Sequence, residues 1–379
     1  MTGVQVATGE GRPGADAVTL ADMVRQWAAR ESPVAAFRAR RDAGVSAVVD
    51  RASLAALADL GWTGIAVPEA HGGSGLGFEA AGMTLLELGR NLTISPLASI
   101  ACAAWAIDRG GSPAQRDRWL PPIAAGGTSA ALAVAQAPGQ LDDGEIVATR
   151  QADGWRLDGT RRFVADGDGA GLFLISADCG EDSALFLVPG MTDGLVVRSR
   201  AMLDSLSHAD IVLEGVALPD EAKLGGADLV DALRDRACVL ASAEMLGIAE
   251  EGFARTLDYL KTRVQFGEPI GNFQALQHRA VALFEAVEML RPVVVAALKA
   301  MDGTEPPDGD MARLRASLAK AAAGDTLHLL GREMIQMHGG IGMTDEHDAG
   351  LFAKRGAVLE AMWGNAAFHR DRFATLRGY

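Results

Sequence analysis

One corner of the chain, residues 259–278, combines residue types that bind phosphate groups. A long helical pattern ends near Arg263, an aromatic-glycine turn follows at Phe266-Gly267, and a helix carrying Gln274 begins after a Pro-Ile-Gly turn. A guanidinium forms paired hydrogen bonds to phosphate oxygens, and a helix N-terminus offers free backbone N–H groups. The spacing therefore predicts a pyrophosphate site at this corner.

A second motif, QMHGGIG at residues 336–342, places two glycines directly after a strongly periodic helical pattern. Glycine takes a left-handed φ at no steric cost, so helices commonly end there. The absence of a Cβ at Gly339 and Gly340 also lets a ligand lie against the main chain. The same backbone geometry can therefore end the helix and bind a ligand.

Taken together, in this order and in helical surroundings, the two motifs resemble the acyl-CoA dehydrogenase flavoprotein family, and the resemblance extends over nearly the whole chain. It implies a mainly α fold with a central β domain: an N-terminal helical domain, a middle antiparallel β-barrel and a C-terminal four-helix bundle. It also implies FAD as the cofactor, oxidation of an acyl-CoA thioester to the α,β-enoyl-CoA, and an electron-transfer flavoprotein as electron acceptor.

The resemblance assigns cofactor contacts residue by residue. In the family, the arginine of R-x-x-F-G binds the FAD pyrophosphate across a subunit interface, which gives that role to Arg263. The family's Q-x-x-G-G motif meets the adenine-diphosphate half, which gives that role to Gln336, Gly339 and Gly340. We expect the guanidinium and the glycine pair to come from different protomers, so the chain is expected to be a dimer or a dimer of dimers. Further expected FAD contacts are Gln265, Phe266, Phe273, Gln274, Phe163 and Ala165.

The β region departs from the family pattern at two places. Where the family has Thr-Glu-Pro-Gly against the flavin ring, this chain has Gln136-Ala137-Pro138-Gly139. Where the family has Trp-Ile-Thr, this chain has Phe163-Val164-Ala165, so Phe163 can cover the ring but Ala165 offers only its backbone. Each lost hydrogen bond weakens FAD binding by about 1 kcal/mol.

The catalytic base is also altered. The reaction needs a carboxylate that removes the α-proton while hydride leaves the β-carbon for flavin N5. Many members supply it from a Tyr-Glu-Gly-Thr turn, which aligns here with Met362-Trp363-Gly364-Asn365, so tryptophan replaces the glutamate. A second branch uses the helix before the arginine motif, where this chain has Ala237.

Glu244 is the base that we predict instead. It lies two helical turns beyond Ala237 on the same face, and Leu240 and Ile248 flank it at four-residue spacing. Apolar neighbours disfavour the charged form of a carboxylate, which suits a general base. The alternative is a boundary glutamate paired with an arginine. Other candidates for the base are Glu360 and Asp166.

The periodicity of the chain changes twice. Apolar residues recur at three- and four-residue spacing up to about Pro122, alternate with period two from about Thr128 to Leu224, and return to helical spacing afterwards. Pro292 should kink its helix or lie at its end. The predicted organisation is a disordered N-terminus (1–17), a helical domain (18–127), a β domain (128–225) and a helical bundle (226–379).

Composition narrows the function classes. The net charge of −14 makes nucleic acid or an anionic membrane surface an unsuitable partner. Three widely spaced cysteines without a C-x-x-C motif, no basic-apolar leader and no long apolar run predict a reduced, cytoplasmic protein.

Several other motifs carry no predicted chemistry. The glycine-rich residues 67–77 follow no strand and lack dinucleotide-loop spacing, so we interpret them as a turn between helices. His338 and His347 are nine residues apart with a glycine break between them, which predicts no metal site. The chain has no G-x-S-x-G motif, so it offers no hydrolase nucleophile.

Two functions fit this pattern. The first is an acyl-CoA dehydrogenase whose base is Glu244. The second follows from Ala137, Ala165 and Trp363, which resemble departures in actinobacterial-type subunits that pair as α2β2 heterotetramers, some acting on sterol side chains. In such a pair this chain would be a non-catalytic or half-site partner subunit. A flavin-binding relative with another activity, such as nitroalkane oxidation, is a third hypothesis.

Overall fold

The structure, a computed structural model of the chain, describes residues 12–44, 51–135, 144–180, 182–303 and 309–379. The chain divides into two units, which are described separately. The helical unit contains residues 1–38, 82–93 and 238–379, and the sheet unit contains residues 39–81 and 94–237. The predicted domain boundaries differ from this division and stay predictions.

Helices make up most of the described chain. Their bounds are α1 (Ala15–Glu31), α2 (Val34–Asp42), α3 (Arg51–Asp59), α4 (Gly77–Arg90), α5 (Leu97–Gly110), α6 (Pro113–Ala124), α7 (Ala227–Thr262), α8 (Gln274–Met301), α9 (Gly309–His338), α10 (Ala349–Ala361) and α11 (Ala366–Leu376). Local sequence explains where α6 begins: the Ser112 hydroxyl accepts from the Gln115 N–H at 3.3 Å, and the Gln115 side chain accepts from the Ser112 N–H at 2.7 Å. Pro113 then occupies the first helical position, which needs no N–H donor.

The sheet unit contains the predicted central β region. Its strands are β1 (Ala130–Ala133), β2 (Ile146–Gln151), β3 (Gly154–Ala165), β4 (Leu172–Asp178), β5 (Ser183–Pro189), β6 (Leu195–Arg200), β7 (His208–Leu218) and β8 (Lys223–Gly226). They form one sheet in the order β6-β7-β3-β2-β4-β5-β8, with β1 beside β4. Phe173 and Phe186 are fully buried in its core.

The expectation of a purely antiparallel sheet is wrong in two pairings, because β4 pairs parallel with both β1 and β2. A parallel pair needs a long connection, and the β2–β3 hairpin with the segments around it supplies one between β1 and β4. The fold class itself, with helical regions before and after a central sheet along the chain, is confirmed.

Glycines set how closely α4 and α7 pack in the helical unit. A Cβ at Gly247 would lie 1.9 Å from the Leu86 carbonyl oxygen, and a Cβ at Gly89 would lie 2.6 Å from the Glu244 carbonyl oxygen. Two backbones approach this closely only where side chains are missing.

The structure bears on two sequence expectations here. Of the two alternatives for Pro292, a helix end is wrong, because α8 continues through it with Val294 and Val295 fully buried, and a kink stays a prediction. Packing of this face compensates the hydrogen bond that proline removes. The first helix begins at Ala15, inside the segment predicted to be disordered, while residues 1–11 lie outside the described chain.

Candidate active site

The predicted pyrophosphate corner is a tight hairpin. Helix α7 ends at Thr262, and strands β9 (Val264–Gln265) and β10 (Glu268–Pro269) pair antiparallel around a two-residue turn. Phe266 and Gly267 form that turn with φ of 56° and 91°, the left-handed values that a type I′ hairpin requires. Backbone hydrogen bonds of Arg263 connect the hairpin to the residues on either side of it. The Arg263 N–H donates to the Tyr259 carbonyl at 2.9 Å, and the Arg263 carbonyl accepts from the Ile270 N–H at 2.8 Å.

The side chains at this corner are exposed. The Phe266 ring is 94% exposed and meets the Phe273 ring edge-on at 6.0 Å between centroids. Gln274 begins α8 and faces solvent, and Gln265 donates to the neighbouring Val264 carbonyl at 2.7 Å. The Arg263 guanidinium has no partner among the described residues. The corner therefore presents an uncompensated cation and an uncovered aromatic ring.

The glycine pair is equally open. Helix α9 ends at His338, and a turn of 3₁₀ helix, Gly339–Met343, follows. Gly339 has a φ of 63°, and neither it nor Gly340 would bring a Cβ within 4 Å of another atom. The exposed Gln336 side chain lies one turn earlier. A ligand can therefore reach the main chain here without displacing a side chain.

A stack of three rings joins these two pieces within one chain. Tyr259, on the last turn of α7, lies 4.5 Å from the ring of His338 at the end of α9, and the His338 ring lies 4.2 Å from that of His347. The sequence hypothesis took the guanidinium and the glycines from different protomers. Because this contact brings the ends of α7 and α9 together, a single protomer can supply both.

In the sheet unit, a bulge positions Phe163. Between the pairs Arg161↔Ile211 and Val164↔Ala209, β3 has one residue more than β7. Phe163 takes a φ of 58°, and the Arg200 guanidinium lies 4.7 Å from its ring centroid. Ala165, the last residue of β3, is half-buried beside it. The predicted flavin-ring residues 136–139 lie outside the described chain.

Arg200 is fixed by a carboxylate at the same place. It donates to Asp210 from Nε at 2.7 Å and from a second nitrogen, and this hydrogen-bonded guanidinium holds the pKa of Asp210 below its usual value. The Phe163 N–H also points at Asp210, at 3.4 Å. Asp166, a minor candidate for the base, accepts from the Ser99 hydroxyl at 2.7 Å.

Glu244, the predicted base, is paired with an arginine. Arg355 on α10 donates to both of its carboxylate oxygens, at 2.7 and 3.0 Å. The two side chains are 14% and 16% exposed, and Leu240 and Ile248 beside Glu244 are fully buried. The guanidinium therefore engages both carboxylate oxygens of Glu244, so neither oxygen is open to a substrate in this arrangement. Proton abstraction by Glu244 would require this pair to open.

Buried side chains of Lys320 and His369 hold the turn at Trp363, the residue that replaces the family's glutamate. Lys320 on α9 donates to the carbonyls of Glu360 and Gly364 at 2.9 and 2.8 Å. Burial lowers the pKa of Lys320 to about 8, so it stays largely protonated at neutral pH. The His369 ring nitrogen Nε2 donates to the Trp363 carbonyl at 2.9 Å. Burial, with Lys320 nearby, lowers the pKa of His369 to about 3, so its ring is neutral.

The described residues carry neither a metal-binding cluster nor a membrane-spanning helix. They contain no group of three or more His, Cys, Asp or Glu side chains that are placed to hold a metal ion. Within the same residues, no helix has the length and apolar character needed to cross a membrane.

Comparison with known proteins identifies the family. Residues 15–127 match the family model for the N-terminal domain of acyl-CoA dehydrogenase, and residues 232–375 match the model for its C-terminal domain. Acyl-CoA dehydrogenase FadE27 of Mycobacterium tuberculosis is 31% identical over 307 residues, covering 79% of this chain and 80% of the relative. Acyl-CoA dehydrogenase IpdE2 of the same organism is 30% identical over 298 residues, covering 78% of this chain and 77% of the relative.

Solved structures agree with this result. The ChsE4–ChsE5 complex from Mycobacterium tuberculosis has a chain that superposes with a TM-score of 0.89 at 26% identity, covering 97% of this chain and 98% of that one. A variant of the Tcur3481–Tcur3483 steroid ACAD gives a TM-score of 0.86 at 29% identity, covering 96% and 98%. The chain belongs to the acyl-CoA dehydrogenase family of oxidoreductases, whose members bind FAD.

The described residues fit that cofactor. A flavin dinucleotide has a dianionic pyrophosphate, which suits the unpaired Arg263 guanidinium and the open main chain at Gly339 and Gly340. Its flat ring system suits exposed or half-covered aromatic surfaces such as Phe266 and Phe163.

Sequence reasoning missed several residues that contact Glu244, the Trp363 turn and Tyr259. It found neither Lys320 nor Arg355, since a lone cation in a helical pattern resembles a solvated residue. It considered His338 and His347 only as metal ligands and did not find their contact with Tyr259. A weak signal existed for Lys320, which stands within the small-residue run ASLAKAAAG, where a surface lysine would interrupt a buried face.

Proposed function

We propose that the chain takes part in the FAD-dependent α,β-dehydrogenation of an acyl-CoA thioester to the enoyl-CoA, with electrons passed on to an electron-transfer flavoprotein. The observation that carries the proposal is the contact between Tyr259 and His338, which joins two pieces of the helical unit. One piece has the exposed Arg263 guanidinium, which has no partner among the described residues, and the other has the open Gly339–Gly340 main chain. Family membership supplies the chemistry: a bound FAD accepts the hydride from the β-carbon as the α-proton leaves.

The chain's own residues have distinct parts in this proposal. Arg263 neutralises and orients the pyrophosphate, and the N–H groups at Gly339 and Gly340 approach the same half of the cofactor. Phe163, held by its bulge and by Arg200, covers a face of the flavin ring. The α-proton must then go to a carboxylate in reach of the substrate.

The source of that carboxylate separates two candidate functions. In a self-sufficient enzyme, Glu244 is the base and Arg355 releases it when substrate binds. In the second candidate, this chain is a half-site partner subunit, and a homologous subunit supplies the base. The observations that favour the second candidate are the two-point ion pair on Glu244 and the fixed Trp363 turn. It is also consistent with the two structural relatives above, which are named as pairs of chains.

The first experiment measures flavin content and its reduction. We expect the chain purified alone to carry little flavin, and the chain co-expressed with a homologous subunit to be yellow. Anaerobic titration of the yellow protein with straight-chain, branched and steroid-derived acyl-CoA thioesters should bleach the flavin absorbance for one class. A protein that carries FAD in no assembly, or is bleached by no thioester, contradicts the proposal.

The second experiment identifies the base. Glu244→Gln keeps a neutral acceptor for Arg355 and removes the proton acceptor. Bleaching should be abolished in a self-sufficient enzyme and unchanged in a half-site subunit, with FAD bound in both cases. Asp325→Asn is the control, because it removes the carboxylate of another arginine pair, with Arg370, on the surface of the helical unit.

A further inference from the structure

The three-ring stack connects the two pieces of the chain that the proposed cofactor site needs. Tyr259 lies one turn before Arg263 on α7, and its carbonyl accepts the Arg263 N–H. His338 directly precedes Gly339, and His347 lies two residues before α10. The Tyr259 ring lies 4.5 Å from that of His338 and 6.2 Å from that of His347. Movement of either piece relative to the other would break these contacts.

Backbone hydrogen bonds show whether Nδ1 of each histidine carries a proton. His338 Nδ1 lies 2.6 Å from the Met334 carbonyl, which can only accept, so Nδ1 carries the proton. Its Nε2 is buried and has no hydrogen-bond partner among the described residues. His347 Nδ1 accepts from the Ala349 N–H at 3.1 Å, so its proton is on Nε2. The His347 ring is therefore neutral in this arrangement, and the His338 ring has its Nδ1 proton donated to a carbonyl.

The charged groups around the stack act in both directions: Asp348 favours a positive charge on His347, whereas Arg255 and Arg38 oppose it. Arg255 on α7 and Arg38 on α2 both donate to Asp348, which follows His347. Asp348 is thus already compensated by two guanidinium groups. Burial, and then the neighbouring His347, lower the pKa of His338, while burial is the main cause that lowers the pKa of His347.

We infer that Tyr259 and His338 are positioning residues, which hold the Arg263 corner and the Gly339–Gly340 turn in the spacing that one pyrophosphate requires, and that protonation of the stack loosens the cofactor. This inference rests on the proposed function. Because the histidine pKa values are lowered in the folded chain, the stack has its full stability above about pH 6.5 and loses it as pH falls through the folded values. Cofactor affinity follows the same direction.

The test compares FAD dissociation at pH 7.5 and pH 5.5, measured by the fluorescence of released flavin in the assembly that retains FAD. His338→Phe keeps a flat ring in the stack but removes the more buried of its two titrating histidines. His328→Phe is the matched control, since it removes an exposed histidine from the same helix. Wild type and His328→Phe should bind FAD about fivefold more weakly at pH 5.5, and His338→Phe should change less than about twofold.

A second pair of variants tests positioning separately from titration. At pH 7.5, Tyr259→Ala should weaken FAD binding about tenfold, and Tyr259→Phe should leave it within about twofold. The inference is overturned if Tyr259→Ala retains FAD as wild type does, or if His338→Phe keeps the wild-type pH dependence.

Thermal unfolding without cofactor separates failure of this inference from failure of the proposed function. Wild type should lose thermal stability between pH 7.5 and pH 5.5, and His338→Phe should lose less. If FAD binds at neither pH while this difference is present, the proposed function fails and the stack is still a pH-sensitive contact. If the two proteins lose equal stability, the inference fails whatever the cofactor does.

Discussion

At the scale of single residues, the turn at Trp363 and Gly364 depends on a cation that solvent does not reach. Lys320 is completely buried, and its ammonium group donates to two backbone carbonyls of the turn. Trp363 and Gly364 have φ of 60° and 98°, conformations that a tryptophan adopts only when its surroundings impose them. Lys320, His369 and the Cys238 thiol all donate to carbonyls of this turn and so help to hold its conformation.

Replacing this lysine should change how stability depends on pH. Lys320 titrates at about 8 in the folded chain and at its ordinary value of 10.5 when unfolded, so the unfolded chain binds more protons between these pH values. The free energy of unfolding of wild type relative to Lys320→Met should therefore rise by up to about 3 kcal/mol from pH 8 to pH 10.5. Chemical denaturation of both proteins at several pH values measures this. A constant difference contradicts the assignment.

The pair of Glu244 and Arg355 gives a second prediction at this scale. Arg355→Met leaves a largely buried carboxylate without its guanidinium and should destabilise the chain by about 3 kcal/mol. The double variant Glu244→Gln with Arg355→Met should recover most of that loss, because no uncompensated charge remains. Denaturation midpoints of the two single variants and the double variant measure the coupling. Additive losses would show that the pair is not coupled.

Residue types and spacing were enough to predict the Arg263 corner and the glycine pair, since both are local in sequence. The pairing of Glu244 with Arg355 and of Lys320 with the Trp363 turn joins residues 111 and 40–44 positions apart. Nothing in the local pattern specifies such contacts, so two interpretations of Glu244 remained: a catalytic base, or a glutamate paired with an arginine. The structure shows that Arg355 is paired with it.

At the scale of elements, close packing of backbones decides where α4 and α7 meet. Helical periodicity predicted both helices, but it carries no information on their separation. The period-two spacing predicted a β region, but it does not mark every strand in that region. Strand β2 is short and largely exposed, and β8 has only four residues, so neither gives a clear alternating pattern.

Gly247→Ala tests the close approach of α4 and α7. A Cβ there would lie 1.9 Å from a backbone oxygen, which cannot move without shifting the helix, so we expect a loss of about 3 kcal/mol or failure to fold. Gly350→Ala in α10 is the control, because its Cβ would meet nothing within 4 Å. That change should be neutral or stabilise the chain by up to about 1 kcal/mol. Thermal unfolding of both variants distinguishes these outcomes.

At the scale of the whole molecule, the hairpin at the end of α7 exposes apolar side chains to solvent. Phe266 is 94% exposed at a hairpin tip, beside Val264 at 53%. The family resemblance placed this corner at a subunit interface, and both structural relatives are named as pairs of chains. The class of fold could be predicted from the sequence, whereas the side chains of a subunit at this corner could not, because they would belong to another molecule.

Phe266→Ser therefore has its effect on assembly rather than on folding. We expect an unchanged melting temperature, because the ring is already solvent-exposed, together with lower flavin retention and a smaller sedimentation coefficient of the co-expressed protein. Met191→Ser, at a side chain that is 97% exposed in the sheet unit, should change none of the three. Equal behaviour of the two variants in sedimentation and flavin content would contradict an interface at the hairpin.

The chain has only two tyrosines, and they occupy opposite environments. Tyr259 lies against two imidazole rings, and Tyr379 is the C-terminal residue with 94% of its surface in solvent. Incorporation of fluorotyrosine would thus give a spectrum of two ¹⁹F resonances, one of them an internal reference. The other would report directly on cofactor loading, subunit exchange and acidification, without a change to any other residue.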